Sequence, residues 1–210
     1  MDKVKKRILL VRHGTTAFNQ ADLLQGRIDN PLNAKGRAEA ERLAARLQDE
    51  PIDAFFSSPL LRARETAAII NSRHHRPLTV VDEFSEIDLG DWEGQNYGQV
   101  RERYPDVHLL WISDPAYPVP GGESFNAVCA RTRRGLEKTL ATGAQTILIA
   151  GHASVNRAIL ANIMELPAAQ ARVFRTGNAA LSQLLLMENE SRSWAVLDFW
   201  NSTSHLEEAS

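Results

Sequence analysis

The chain has 210 residues, of which 43% are hydrophobic and 24% are charged, a composition that suits one globular domain with a substantial core. Its formal net charge of −2 gives no basic field for nucleic acid or an anionic membrane, so neither is expected as a partner. The single cysteine, Cys129, excludes an internal disulfide framework and a cysteine-rich zinc site.

The sequence shows no recognisable targeting signal. The apolar run after residues 1–7 is too short for a signal peptide, and no apolar stretch approaches the ~20 residues of a membrane-spanning helix. We therefore expect a cytoplasmic protein with a single domain over residues 1–201 and a loose polar tail over residues 202–210. The sequence leaves the oligomeric state open.

Short apolar runs alternate with helical patterns along most of the chain. The expected strands are residues 8–11, 52–56, 78–81, 146–150, 181–187 and 194–199. Helices are expected over residues 60–71, 95–104, 123–140 and 155–164, and another after Asn33, a residue type that caps helices. Segments 20–31, 83–94 and 113–122 are expected to be loops. This order predicts an α/β fold with a mostly parallel sheet covered on both faces, and the closing strand pair implies at least one antiparallel edge strand.

Two of the expected strands end in a histidine. The first leads directly into Arg12 and His13, and the fourth leads, through one glycine, into His152. Ligands bind beyond the carboxyl ends of strands in an open α/β sheet, so both imidazoles are expected in one crevice. Arg62 opens the helix after another strand end, and His152 lies at a helix start, where free backbone N–H groups favour an anion. Two arginines and two histidines around one crevice indicate a site for a dianion such as phosphate.

Other interpretations of these residues are weaker. No Gly-x-Gly-x-x-Gly motif follows a strand and no Walker-type motif is present, which disfavours a dinucleotide or P-loop site. A zinc site from His13, His152 and Glu86 is an alternative, but two adjacent arginines would repel the cation, and we expect no metal and no cofactor. Taken singly, each residue also fits a solvated or core position. Trp92 and Trp111 fit either the core or a pocket wall.

Five segments, residues 12–19, 24–32, 57–67, 86–94 and 151–157, carry a more specific pattern. In this order they resemble the Arg-His-Gly motif, phosphate loop, second arginine motif, acid loop and second-histidine motif of the histidine phosphatase superfamily, the phosphoglycerate-mutase-like proteins. A lone Arg-His-Gly would be a weak signal. Five motifs in the family's order cover most of the chain.

The resemblance implies a three-layer α/β/α sandwich and phosphoryl transfer through a phosphohistidine on His13. Arg12, Arg62 and His152 would hold the phosphoryl oxygens and balance their charge. Glu86 would be the general acid that protonates the leaving oxygen and then the base that activates water. The positions implied to line the substrate pocket are Asn19, Gln25, Gly26 and Ala153.

Three positions depart from the family pattern but leave the catalytic set intact. Thr15 stands where many members carry glutamate, and Phe18 stands where many carry tryptophan. Ala153 replaces the usual glycine after the second histidine, which would be unfavourable if that position needed a positive φ.

The middle of the chain resembles the phosphatase branch more than the mutase branch. Mutases of this type carry a basic pair in a longer insertion, whereas residues 111–122 contain no lysine or arginine; Arg101 and Arg103 could partly substitute. We expect a phosphomonoesterase of a small phosphorylated metabolite, resembling α-ribazole-phosphate or broad-specificity phosphatases. The alternatives are a cofactor-dependent phosphoglycerate mutase and a phospho-ligand-binding protein with little turnover, which the complete residue set disfavours.

Overall fold

The computed structural model describes residues 1–207. The strands in this range are β1 (Lys3–Arg12), β2 (Ala54–Ser57), β3 (Leu78–Val80), β4 (Thr146–Gly151), β5 (Leu181–Glu188) and β6 (Ser193–Ser202). The helices are α1 (Ala17–Gln20), α2 (Ala34–Leu47), α3 (Leu61–Asn71), α4 (Tyr97–Arg103), α5 (Pro105–Ser113), α6 (Phe125–Leu140), α7 (Ala153–Met164) and α8 (Ala168–Ala171). Single 3₁₀ turns occur at Asp82–Phe84, Gly90–Trp92 and Ser204–Leu206.

All six strands form one sheet in the order β3-β2-β4-β1-β5-β6. The first four are parallel, and β5 runs antiparallel to both β1 and β6. The predicted mostly parallel sheet with an antiparallel element at one edge is therefore confirmed. Arg12 lies opposite Gly151, and Ser57 lies opposite Ala150. This register brings the carboxyl ends of β1, β2 and β4 side by side.

Two hydrophobic cores lie on opposite faces of the sheet. Successive side chains of a strand point to opposite faces, so Ile8 and Leu10 pack with residues of α6 and α7, whereas Leu9 and Val11 pack with residues of α2 and α3. All four are at most 1% exposed, and burial of each stabilises the fold by about 1.5–3 kcal/mol. The three-layer α/β/α arrangement implied by the resemblance is confirmed.

Helix α2 begins as predicted and packs directly under the loop that follows β1. The side chain of Asn33 accepts a hydrogen bond from the N–H of Gly36, which caps the helix. A Cβ atom at Gly14 would collide with the carbonyl oxygen of Gly36. Glycine is needed at position 14 because the backbone of the His13 loop lies against this helix.

Three helices, α1, α5 and α8, were not predicted from the sequence, and α1 has only four residues. Pro105 ends the pattern of α4 but occupies the first turn of α5, where a missing N–H costs nothing. Helix α8 has only four residues, too few for a periodic signal. Between Met1 and Glu207, no helix is long and apolar enough to cross a bilayer.

The segment expected to be a loose tail packs on α2 over its described part. The Nη1 atom of Arg46 donates to Ser202 Oγ and Ser204 Oγ at 2.9 and 3.0 Å. Arg42 donates to the carbonyl of Leu206 at 3.0 Å. The expectation of a loose tail was wrong for residues 202–207, because polar side chains of α2 bind them, and residues 208–210 lie outside the described range.

Candidate active site

A cavity of about 280 Å³ opens at the carboxyl ends of β1, β2 and β4. It is lined by all but one of the predicted site residues: Arg12, His13, Asn19, Gln25, Gly26, Arg62, Glu86 and Ala153. The exception, His152, is fully buried beside the cavity, with its ring centroid 5.2 Å from that of His13. In the part of the chain that the structure describes, the alternative zinc set does not form a metal-binding cluster.

His13 has the form that a nucleophile requires. It is 2% exposed, and its Nδ1 lies 2.8 Å from the carbonyl oxygen of Gly14. A carbonyl only accepts hydrogen bonds, so Nδ1 carries the proton and Nε2 keeps a free lone pair. Burial, together with the charges of Arg12 and Arg62, holds the pKa of His13 well below 6.5. The ring is therefore neutral at pH 7.

His152 is oriented by a serine at the end of β2. Its Nε2 lies 2.7 Å from Ser58 Oγ, and this hydroxyl oxygen also accepts from the N–H of Leu60 at 3.2 Å. When the hydroxyl proton of Ser58 is donated to Nε2, Nδ1 is the protonated nitrogen of the ring. The buried Nδ1 has no partner among the described residues and is available to donate to an anion.

Removal of the Ser58 hydroxyl should weaken turnover by releasing the orientation of His152. We expect Ser58→Ala to lower kcat by about tenfold, because one hydrogen bond to a buried polar group is lost. The measurement is kcat and KM for an aryl phosphate. Ser57→Ala is the matched control, since Ser57 Oγ donates to the carbonyl of Ser58 and not to His152. Equal kcat values for the two variants would contradict this role.

The two buried neutral histidines should make the stability of the unliganded protein depend on pH. Burial holds the pKa of both His13 and His152 well below 6.5, so the unfolded chain binds protons that the folded chain does not. The free energy of unfolding should be at its full value above about pH 7 and fall below about pH 6.5, by about 1.4 kcal/mol per pH unit for each histidine. Urea unfolding of wild type and His13→Gln from about pH 7 to about pH 5 measures this. An unchanged slope in the variant would contradict the assignment.

Arg12 and Arg62 are held by backbone carbonyl oxygens. Arg12 Nη1 donates to Thr176 O at 2.5 Å, and Arg62 donates to Ile28 O and Gly26 O, both at 2.8 Å. Burial lowers the pKa of Arg12 to about 10, so it remains a cation at neutral pH. Neither guanidinium forms an ion pair within residues 1–207, and the Nε atom of each has no partner in that range. Both keep positive charge and N–H donors for an anion.

Asn19 and Gln25 present amide donors to the cavity because their oxygen atoms are occupied. Asn19 Oδ1 accepts from the N–H of Thr16 and from Asn178 Nδ2, both at 3.1 Å. Gln25 Oε1 accepts from Thr16 Oγ1 at 2.9 Å. Gly26 has a φ of +49°, and a Cβ atom there would collide with the carboxylate of Glu93. The positive φ and the close approach of Glu93 both favour glycine at position 26.

Glu86 lies between the cavity and the N-terminus of α7. Its Oε1 accepts from the N–H of Ile87 at 2.8 Å, and its Oε2 accepts from the N–H of Ser154 at 3.3 Å. The loop that carries it is fixed by Arg131 of α6, which donates to the carbonyls of Glu83, Ser85 and Glu86 at 2.7–3.0 Å. The sequence analysis missed Arg131. Its position three residues after Val128, on the buried stripe of α6, is the signal that could have identified it.

The substitutions relative to the family pattern are accommodated locally. Ala153 begins α7 and is not among the positive-φ residues, so glycine is not required there. Thr15 donates from its N–H and its hydroxyl to Glu39 at 2.8 Å each. Trp92 is fully buried in the core, whereas Trp111 lines the cavity. This separates the two tryptophans that the sequence left unassigned.

Cys129 packs against the core as expected from its helical position. Burial raises the pKa of its thiol to about 11, so the thiol is protonated at neutral pH and is a poor nucleophile.

The fold and the cavity define an α/β protein with a cationic site at the carboxyl ends of its parallel strands, and comparison with known proteins specifies the family. Residues 8–201 match the family model of the histidine phosphatase superfamily (branch 1), and the chain belongs to that superfamily. Several of its relatives are named phosphatases, and the chain is accordingly a histidine phosphatase. The resemblance drawn from the five motifs is confirmed.

Three relatives illustrate the range of named activities. The adenosylcobalamin/alpha-ribazole phosphatase of Salmonella typhimurium is 32% identical over 87% of this chain and 91% of its own length. Phosphoserine phosphatase 1 of Hydrogenobacter thermophilus is 30% identical over 96% of this chain and 95% of its own. A mycobacterial glucosyl-3-phosphoglycerate phosphatase in complex with VO3 has a TM-score of 0.85, with 30% identity over 94% and 99% of the two chains.

Proposed function

We propose that the protein hydrolyses phosphomonoesters of small metabolites through a phosphohistidine on His13. The observation that carries this proposal is the neutral His13 ring, whose Nε2 lone pair is free in a cavity that also contains Arg12 and Arg62. Related enzymes that act on phosphoserine and α-ribazole phosphate support the choice of a small phosphorylated substrate.

The proposed reaction has two steps. In the first, His13 Nε2 attacks phosphorus, the P–O bond to the alcohol breaks, and Glu86 donates a proton to the leaving oxygen. In the second, Glu86 takes a proton from water, which attacks the phosphohistidine and releases inorganic phosphate with His13 restored. The developing charge would be stabilised by the positive charges of Arg12 and Arg62, whose Nε atoms have no partner among the described residues, and by the Nδ1 of His152 and the amides of Asn19 and Gln25.

Two features of the chain support hydrolysis over mutase activity. The relatives described above are named phosphatases, and residues 111–122 lack the basic pair of the mutases. A binding protein would not require an acid such as Glu86 beside the phosphate site. We also propose that residues 1–201 form one domain and that the enzyme acts in the cytoplasm.

The test is release of phosphate from a panel of phosphomonoesters, with phosphoglycerate interconversion read in the same samples. The panel contains α-ribazole phosphate, phosphoserine, 3-phosphoglycerate, sugar phosphates and an aryl phosphate. Release that disappears in His13→Ala would support the proposal. Interconversion of phosphoglycerates without release would replace it by the mutase, and binding without either reaction would replace it by a binding protein.

A further inference from the structure

The catalytic cavity continues into a second lobe of about 400 Å³. The two share the wall residues Ile87, Tyr97, Trp111, Ser154 and Arg157. This inference rests on the proposed function, in which the phosphoryl group binds at His13. The alcohol part of the ester then lies next to the second lobe and can extend into it. The residues of the lobe then determine which alcohols are accepted.

Arg172 presents a cation to this lobe. Its guanidinium carbon lies 4.6 Å from the ring centroid of Trp111 and 5.8 Å from that of Phe125. Stacking fixes the plane of the guanidinium and leaves its in-plane N–H donors free. No carboxylate of the described chain lies within ion-pair distance of it; Asp114 acts on it only from a longer distance.

Arg157 adds a second cation on the wall between the two lobes. Its Nε donates to the carbonyl of Phe174 at 2.7 Å, which fixes the side chain through a neutral partner. It also forms no ion pair in the described range. Burial lowers the pKa of both guanidiniums; the charge of Arg157 lowers the pKa of Arg172 further, whereas the charge of Glu86 opposes the shift at Arg157. Two partly desolvated cations that form no direct ion pair among the described residues are stabilised when an anion binds to them.

We propose that the second lobe is a subsite for a carboxylate on the leaving alcohol, bound by Arg172 and Arg157. The preferred substrates are then phosphomonoesters of small hydroxy acids. A guanidinium pairs with a carboxylate through two parallel hydrogen bonds, and the ring of Trp111, whose centroid lies 4.6 Å from the guanidinium carbon of Arg172, covers one face of this cation. The substrates named for two relatives, phosphoserine and glucosyl-3-phosphoglycerate, both carry a carboxylate, whereas α-ribazole phosphate does not.

The test compares substrates that differ by one carboxylate. Phosphoserine is paired with phosphoethanolamine, and 3-phosphoglycerate is paired with glycerol 3-phosphate. We expect wild type to prefer the carboxylated member of each pair by about tenfold or more in kcat/KM. Arg172→Gln should reduce this preference by about tenfold, mainly through a higher KM for the carboxylated ester. Arg172→Lys, which keeps the charge but not the planar fork, should give an intermediate value.

Arg101→Gln is the control, because Arg101 is an exposed arginine of α4 that lines neither lobe. It should keep the wild-type preference. Three outcomes would overturn the carboxylate subsite while leaving the phosphatase activity established. They are equal kcat/KM values within each substrate pair in wild type, a highest kcat/KM for α-ribazole phosphate, and a preference for the carboxylated ester that persists in both Arg172→Gln and Arg157→Gln. Absence of release from every ester, the aryl phosphate included, would overturn the proposed function and this inference with it.

Discussion

Replacement of His13 by alanine is expected to lower kcat for phosphate release by at least about 10⁴-fold, as removal of a covalent nucleophile does in other enzymes. The loss should be this large because no neighbouring group can take over. The Nε2 of His152 is engaged with Ser58 Oγ at 2.7 Å, and burial raises the pKa of the Cys129 thiol. The measurement is steady-state release of phosphate from an aryl phosphate.

Binding of inorganic phosphate should persist in His13→Ala although turnover is lost. Arg12 and Arg62 are held by backbone carbonyls that do not involve the His13 ring, so calorimetry should still detect inorganic phosphate binding to His13→Ala. His75→Asn is the control, because His75 is exposed and has a φ of 54°, which asparagine tolerates. Turnover of His13→Ala within tenfold of wild type would show that another group attacks phosphorus.

Replacement of Glu86 by glutamine should produce a loss that depends on the leaving group. Glutamine keeps the shape of the side chain and can still accept from the N–H of Ile87, but it cannot donate and recover a proton. We expect kcat/KM for alkyl phosphates to fall by about 10²–10⁴-fold. An aryl phosphate should lose much less in its first step, because a phenolate leaves without full protonation. The measurement is kcat/KM for alkyl and aryl phosphates side by side.

Asp91→Asn is the matched control for Glu86→Gln. Asp91 is an exposed carboxylate of the same loop and does not line the cavity. It should retain wild-type kcat/KM for both kinds of ester. An equal loss for alkyl and aryl phosphates in Glu86→Gln would indicate a binding or folding defect and would exclude the role of Glu86 as general acid.

The residues at strand ends were predictable because a buried strand has a distinctive sequence. Apolar runs end at Arg12 and before His152, and the parallel pairing of β1 with β4 brings these ends together. The five motifs then identified Glu86 and the phosphate loop. Motifs of this kind are contained in short segments, so the residues that line the candidate site could be predicted before the fold was known.

The specificity side of the site could not be read in the same way. Arg172 follows the four-residue helix α8, and its proposed role depends on stacking with Trp111. Trp111 lies on α5, a helix that was not predicted from the sequence. Arg131 acts through carbonyls of a loop more than 40 residues away. These contacts are tertiary and leave no periodic pattern along the chain.

Trapping the phosphorylated enzyme tests the central claim most directly. Wild type mixed with a radiolabelled phosphomonoester is quenched with alkali, in which phosphohistidine survives, and digested to locate the label. We predict label on the peptide that contains His13, formed and lost at rates compatible with kcat, and none in His13→Ala. Label on another peptide, or steady release of phosphate with no labelled enzyme under rapid quenching, would contradict a phosphohistidine on His13.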